Sequence, residues 1–227
     1  MAEQKPISGI KACVFDAYGT LFDVHSAVGK HRRRLGDLAD PVSLLWRTKQ
    51  LEYTCLRSLM GRHADFRQVT RDALDVAFDM HDVTDPDLRK DLIDAYLHLD
   101  CYPEVPEALT TLKSRGFKIA ILSNGTPAML EAAVSHSALD DAIEHIFSVE
   151  TVGIFKPAPQ VYQIAVDGLN VAPEEIVFQS PPTPGMPPEH LPLVSKWPGS
   201  IDLDKVRSGS REGRMSRFIN LPSCPIC

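Results

Sequence analysis

No stretch of this 227-residue chain approaches the ~18 consecutive apolar residues that a membrane-crossing helix requires. Met1 to Ser8 is polar and lacks the apolar centre of a signal peptide. Cysteine is scarce: there are five, an odd number, and Cys224-x-x-Cys227 has neither a second pair nor a histidine beside it. Neither a disulfide scaffold nor a zinc site is indicated. Cys13, Cys55 and Cys101 stand among apolar neighbours and read as small buried hydrophobes, which fits a reducing cytoplasm. Positive charge is short as well. A formal net charge of -6 argues against nucleic acid or an anionic membrane surface as a main partner. The one basic cluster, Lys30-His31-Arg32-Arg33-Arg34, reads as the solvated end of a helix. Strand-like runs are missing from about Val24 to Asp100.

What is present is ordinary for a soluble globular protein, with 44% hydrophobic and 24% charged residues in a chain long enough for one large or two modest domains. Ile10 to Phe15 is a near-continuous apolar run, the pattern of a buried parallel strand, and it ends on Asp16. In an open α/β sheet the carboxyl end of a strand faces the ligand crevice, so Asp16 is delivered there. Gly19 permits a tight turn, and Thr20 is placed to hydrogen-bond the carboxylate or nearby backbone. An Asp-Gly pair by itself also serves as a turn cap.

From 22 to 100 the apolar spacing is helical. Leu44, Leu45, Leu51, Leu56, Leu59 and Met60 form one series, with Pro41 placed to open the helix. Phe66, Val69, Ala73, Val76, Ala77 and Met80 form the next, and Leu88, Leu92, Ile93, Tyr96 and Leu97 the last. Some four helices are expected, with these stripes as packing surfaces of a cap over the crevice. Strand and helix then alternate. Strands are expected over 117–122, 146–149 and 175–180, and helices over 103–115, 127–136 and 159–169. The whole reads as an α/β fold, an open parallel sheet with helices on both faces, plus a helical-bundle cap inserted after the first strand. The expected division is a discontinuous core of 9–21 and 101–180 and a cap of 22–100. Half of the 18 prolines lie beyond Ser180, so 181–227 reads as an irregular or disordered tail.

The run Asp16-Ala17-Tyr18-Gly19-Thr20-Leu21-Phe22-Asp23 resembles the nucleophile motif of the haloacid dehalogenase superfamily. Most members are magnesium-dependent phosphatases with a second aspartate two places after the first. Here that place is Tyr18, whose phenol offers no carboxylate oxygen to magnesium and titrates too high for the same acid role. The variant is similar to that of the (S)-2-haloacid dehalogenases, which use neither metal nor cofactor. The resemblance implies hydrolysis of short (S)-2-haloalkanoic acids to (R)-2-hydroxyalkanoic acids through an aspartyl ester, in a homodimer.

The same resemblance assigns roles residue by residue. Asp16 is the nucleophile and Thr20 orients it. Arg47, in Leu45-Trp46-Arg47-Thr48-Lys49-Gln50-Leu51-Glu52-Tyr53, stabilises the departing halide together with Asn124. Ser123 binds the substrate carboxylate, although Ser123-Asn124-Gly125 read alone serves equally as a strand-end turn. Lys156 keeps Asp16 ionised, Tyr162 contacts that charge network, and Ser180 matches a strand-end serine. Tyr18, Trp46, Leu51 and Phe66 are candidates for an apolar pocket wall, of which only Tyr18 is placed by motif. Beyond Ser180 the pattern departs: Pro182 stands where the family has an asparagine, and Gly185 where it has the aspartate that activates water. Impaired turnover is therefore expected. The alternatives are a magnesium-dependent phosphatase of the same superfamily, against which Tyr18 speaks, and a non-catalytic, truncated or frameshifted remnant.

Overall fold

The computed structural model describes residues 9–180. The expectations for 1–8 and 181–227, with Pro182, Gly185, Cys224 and Cys227 among them, lie outside the described residues. Four parallel strands form one sheet: β1 (Ala12–Phe15), β2 (Lys118–Ser123), β3 (His145–Ser148) and β4 (Ile176–Gln179), in the order β3-β2-β1-β4. Successive strand residues point to opposite faces, and every residue of β1 is buried, so both faces of this strand are covered. Phe15 lies level with Ile121 and Gln179. The carboxyl ends of β1, β2 and β4 thus bring Asp16, Ser123-Asn124 and Ser180 to one edge of the sheet.

Five α-helices make up the insertion after β1: α1 (Ser26–Lys30), α2 (Arg32–Leu35), α3 (Ala39–Met60), α4 (Phe66–Met80) and α5 (Pro86–Ala95). The extra one arises because the segment before α3 divides into two short helices. After the insertion helix and strand alternate, with α6 (Val105–Ser114) preceding β2, α7 (Pro127–His136) before β3 and α8 (Pro159–Leu169) before β4. Local chemistry sets these starts. Asp65, Asp85 and Thr126 each accept a hydrogen bond from a backbone N–H three residues on, and Pro86 and Pro127 follow two of those caps. The insertion leaves and returns side by side. Asp23 N donates to Asp100 O at 2.9 Å, Tyr102 N donates to Leu21 O at 3.0 Å, and Phe22 and Cys101 pair antiparallel. Among the described residues, no helix is long and apolar enough to cross a membrane.

Three expectations need correction. The buried face of α3 is not the leucine series but Val42, Trp46, Gln50 and Thr54, spaced by four, with Ala39 and Ser43 beside them. Leu44, Leu51 and Leu56 are exposed, and Leu59 and Met60 are 72% and 60% exposed. The helix carries two apolar stripes, and α4 packs on the one that includes two polar residues. On α4, Leu74 and Phe78 are buried where Val76 and Met80 were expected, because the stripe drifts around the helix. Of the three cysteines expected in the core, Cys13 is buried, whereas Cys55 and Cys101 are half-buried. The basic cluster is exposed at helix ends, as expected, and forms ion pairs there: Lys30 meets Asp100 at 2.9 Å, Arg32 meets Asp40, and Arg34 meets Asp85 and Asp91.

Candidate active site

The turn after β1 is built by backbone. Thr20 N, Leu21 N and Phe22 N all donate to Ala17 O, and Gly19 takes a φ of +89° that a side chain resists. Asp16 is held at the mouth of this turn. Its Oδ1 accepts from Ala17 N at 2.7 Å and from the Lys156 ammonium at 2.7 Å, while Asp16 N donates to Gln179 O at 2.7 Å. Thr20 does not orient the carboxylate as expected: its buried Oγ1 has no hydrogen-bond partner. The Ala17 amide and the Lys156 ammonium hold Oδ1 instead.

Lys156 is almost fully enclosed. Its Nζ also donates to Leu122 O at 3.0 Å and lies 5.4 Å from the centre of the Phe178 ring. Burial lowers its pKa from the ordinary lysine value, Asp16 opposes this, and the nearby Arg47 charge adds to the lowering. Asn124 fixes the same loop, its Oδ1 accepting from Lys156 N at 3.0 Å. Ser123 is fully buried and its Oγ accepts from Gly125 N at 3.2 Å, so its hydroxyl proton is free to be donated. Tyr162 reaches the charge pair through a ring: it meets Phe178 edge-on at 5.4 Å, and burial followed by Asp16 raises its phenol pKa. Ser180, half-buried one residue beyond β4, is not part of the hydrogen bonds that hold Asp16.

Tyr18 is stacked between Phe66, at 5.2 Å, and Tyr96, at 5.5 Å. Its hydroxyl is buried without a partner, and desolvation pushes its pKa well up. Gly125 makes this packing possible, since a Cβ there would come within 2.7 Å of the Tyr18 ring. Two buried hydroxyl oxygens, on Tyr18 and Thr20 in the turn after Asp16, thus lack hydrogen-bond partners, where buried polar groups ordinarily find one. Of the other wall candidates, Phe66 is in this stack. Trp46 stands one ring behind, 5.1 Å from Tyr96 with Nε1 donating to Thr70 O, and Leu51 is exposed. Arg47 donates to Tyr18 O at 2.9 Å and to Gln50 Oε1 at 3.1 Å.

Gln50, Tyr96, Gly125 and Phe178 were not read from the sequence. Gln50 alone carried a signal, a polar residue four places after Trp46 on one helical face. Among the described residues no cluster of three or more His, Cys, Asp or Glu side chains forms a metal-ligand set. The cation beside Asp16 is Lys156. A cavity of about 60 Å³ lined by Arg57, Ser58, Gly61, His63, Gly153 and Ile154 includes none of these site residues.

Comparison with known proteins agrees with this arrangement. The haloacid dehalogenase-like hydrolase family matches residues 10–178. The (S)-2-haloacid dehalogenase 1 of Pseudomonas sp. strain CBS-3 is 48% identical over 172 residues, covering 75% of this chain and 76% of that protein. A dehalogenase of known structure, 44% identical, superposes with a TM-score of 0.77 over 78% of this chain and 79% of its own. The L-2-haloacid dehalogenase of Xanthobacter autotrophicus, solved with chloropropionic acid covalently bound, is 42% identical with a TM-score of 0.69, over 74% of this chain and 69% of that one. The match runs from the Asp16 strand through the helical insertion and the Lys156 loop to β4, and the chain belongs to the haloacid dehalogenase-like hydrolases, in their (S)-2-haloacid dehalogenase branch.

Proposed function

We propose that this chain dehalogenates short (S)-2-haloalkanoic acids through an ester on Asp16. The observation that carries the reading is the carboxylate itself: Asp16 Oδ1 is pinned by Ala17 N and Lys156, which leaves Oδ2 as the oxygen directed at a substrate. Oδ2 attacks the α-carbon from the side opposite the halide. The C–O bond forms, the carbon-halogen bond breaks, and the halide leaves with the electron pair toward Arg47 and the Asn124 amide. The Lys156 ammonium, 2.7 Å from Oδ1, is the counter-ion of the Asp16 carboxylate. The Ser123 hydroxyl and adjacent amides receive the substrate carboxylate, and Tyr18 with Phe66 walls the α-carbon. Water then adds to the Asp16 ester carbonyl. The aspartyl-oxygen bond breaks, a proton passes to solvent, and the (R)-2-hydroxy acid departs with inverted configuration. Splitting one displacement into two steps in this way is ordinary nucleophilic catalysis.

The domain division belongs to the same proposal, with a core of 9–21 and 101–180 and a cap of 22–100. The paired connectors at Phe22 and Cys101 support those two crossing points. A homodimer is supported by the exposed Leu44, Leu51, Leu59 and Met60 on α3, an apolar face that a second copy would cover. Sedimentation equilibrium reads this directly: Leu59→Glu shifts dimer to monomer, and a parent chain that is monomeric at every concentration refutes it.

The test of function is halide release on mixing with the separate enantiomers of 2-chloropropanoate. Release from the (S) form and not from the (R) form is expected; release from neither, by folded protein, overturns the reading. Run across pH, the same assay reports Lys156. A lysine carries its charge below its pKa, so a lowered value means that the cation is lost earlier as pH rises. The alkaline fall in rate therefore lies below the usual lysine value of about 10.4. Lys156→Arg moves that fall upward, because guanidinium stays charged. A parent rate that is flat to about pH 10.4 contradicts the role.

A further inference from the structure

Gln50 is the anomaly of α3. It is 1% exposed, in the middle of the buried stripe, and a buried amide is costly unless its hydrogen bonds are met. Three hydrogen bonds hold the amide. Oε1 accepts from Arg47 at 3.1 Å and from the Tyr96 hydroxyl at 3.0 Å, and Nε2 donates to Thr70 Oγ1 at 2.7 Å.

Chemistry leaves one orientation for that amide. The Thr70 hydroxyl donates its proton to Phe66 O at 2.7 Å, so it has only acceptor capacity for Gln50 and must meet the NH2 group. Arginine has donors and no acceptor, so the atom facing Arg47 must be the oxygen. Tyr96 is buried between Tyr18 and Trp46, and burial raises its pKa, which keeps its proton available to Oε1. The direction of every bond from Phe66 O to Arg47 is thereby set. At the far end the guanidinium has a second anchor, Tyr18 O at 2.9 Å, two residues after Asp16. Two acceptors on different elements, with the Tyr96 hydroxyl also against the guanidinium, fix both the position and the rotation of a planar fork.

We propose that Gln50 is a positioning residue for Arg47: the Thr70–Gln50–Tyr96 chain holds the guanidinium in register with Asp16, so that its free N–H groups meet the halide as it departs. The inference rests on the dehalogenase reading of Arg47 and goes beyond it, since Gln50 touches no reacting atom. A guanidinium that must find its place during the reaction loses part of the advantage of a preorganised charge. Chloride, the poorer leaving group, depends on that charge more than bromide does.

The experiment is single-turnover halide release by the full chain, with (S)-2-chloropropanoate and (S)-2-bromopropanoate at rising concentration. The parent is compared with Gln50→Met and Tyr96→Phe, each checked for fold by circular dichroism. Gln50→Met removes the acceptor at similar volume. Its limiting rate with the chloro acid falls by about ten-fold or more, with the bromo acid by less, and the half-saturating concentration stays within about two-fold. Tyr96→Phe keeps the ring stack and loses one donor, so it shows a smaller loss with the same bias. Equal losses for the two halides, a loss confined to half-saturation, or no loss overturns the inference while leaving the dehalogenase reading intact. If Gln50→Met does not fold, Tyr96→Phe decides: the chloride bias supports the inference and its absence sinks it. No halide release by the parent from either acid overturns both.

Discussion

Asp16→Asn reduces halide release to the level of the uncatalysed background. The substitution is nearly isosteric, and its amide oxygen still accepts from Ala17 N and from the Lys156 ammonium, the two donors on Oδ1. The strand end and the turn around Ala17 O are backbone constructions and do not depend on the carboxylate. What disappears is the negative charge on the atom that attacks. A neutral amide is a poor nucleophile, and neither of the buried hydroxyls nearby is ionised to replace it. The measurement is ion chromatography of halide after one hour with excess (S)-2-chloropropanoate, beside circular dichroism of the variant. Halide at parental rates from the folded variant assigns the nucleophile to another group.

The parent chain itself forms the Asp16 ester faster than it hydrolyses it, and the ester accumulates. The residues assigned to the displacement come from the carboxyl ends of β1 and β2, from α3 and the start of α4, and from the Lys156 loop before α8. The second step calls for a base to activate water, and the residue that matches the family's activating aspartate is Gly185. Loss of a general base slows such a step by about 10²–10⁴-fold. Mixing with (S)-2-chloropropanoate therefore gives a burst of about one halide per chain, then a slow phase. Mass spectrometry finds the peptide that carries Asp16 heavier by one propanoate unit. Linear release from the first turnover, with Asp16 unmodified throughout, is the result that removes this prediction. So does a slow phase left unchanged when aspartate replaces Gly185 and asparagine replaces Pro182.

The parallel strands were legible because burial on both faces leaves a near-continuous apolar run, as in Ile10 to Phe15 and Phe117 to Leu122. Helices α7 and α8 match the expected 127–136 and 159–169, since a proline opens each and α8 closes on Asn170 in the left-handed conformation. Periodicity failed on α3 for a definite reason. It detects an apolar stripe but not which stripe finds a partner, and here the buried one contains Gln50 and Thr54. The site divides the same way. Asp16, Ser123, Asn124 and Lys156 come from strand ends and their loops, where short motifs survive in sequence. Gln50 and Tyr96 act through contacts 46 residues apart, and a glutamine within a helix ordinarily signals solvent. Thr20 was misread because the Ala17 amide and the distant Lys156, rather than its own hydroxyl, hold the carboxylate.

The stack of Phe66, Tyr18 and Tyr96 bears on how such a protein arises. Most of the superfamily carries aspartate where this chain has Tyr18. Restoring aspartate here by one codon change would put a short carboxylate in place of the ring that packs on Phe66, Tyr96 and Gly125. Burial favours the protonated form of a carboxylate, and the cavity left by the lost ring weakens the fold at the same time. The intermediate would be poor at both chemistries. Passage between phosphoryl and carbon-halide substrates must then move several rings of the insertion together with position 18, which turns a one-letter difference in a motif into a barrier between lineages.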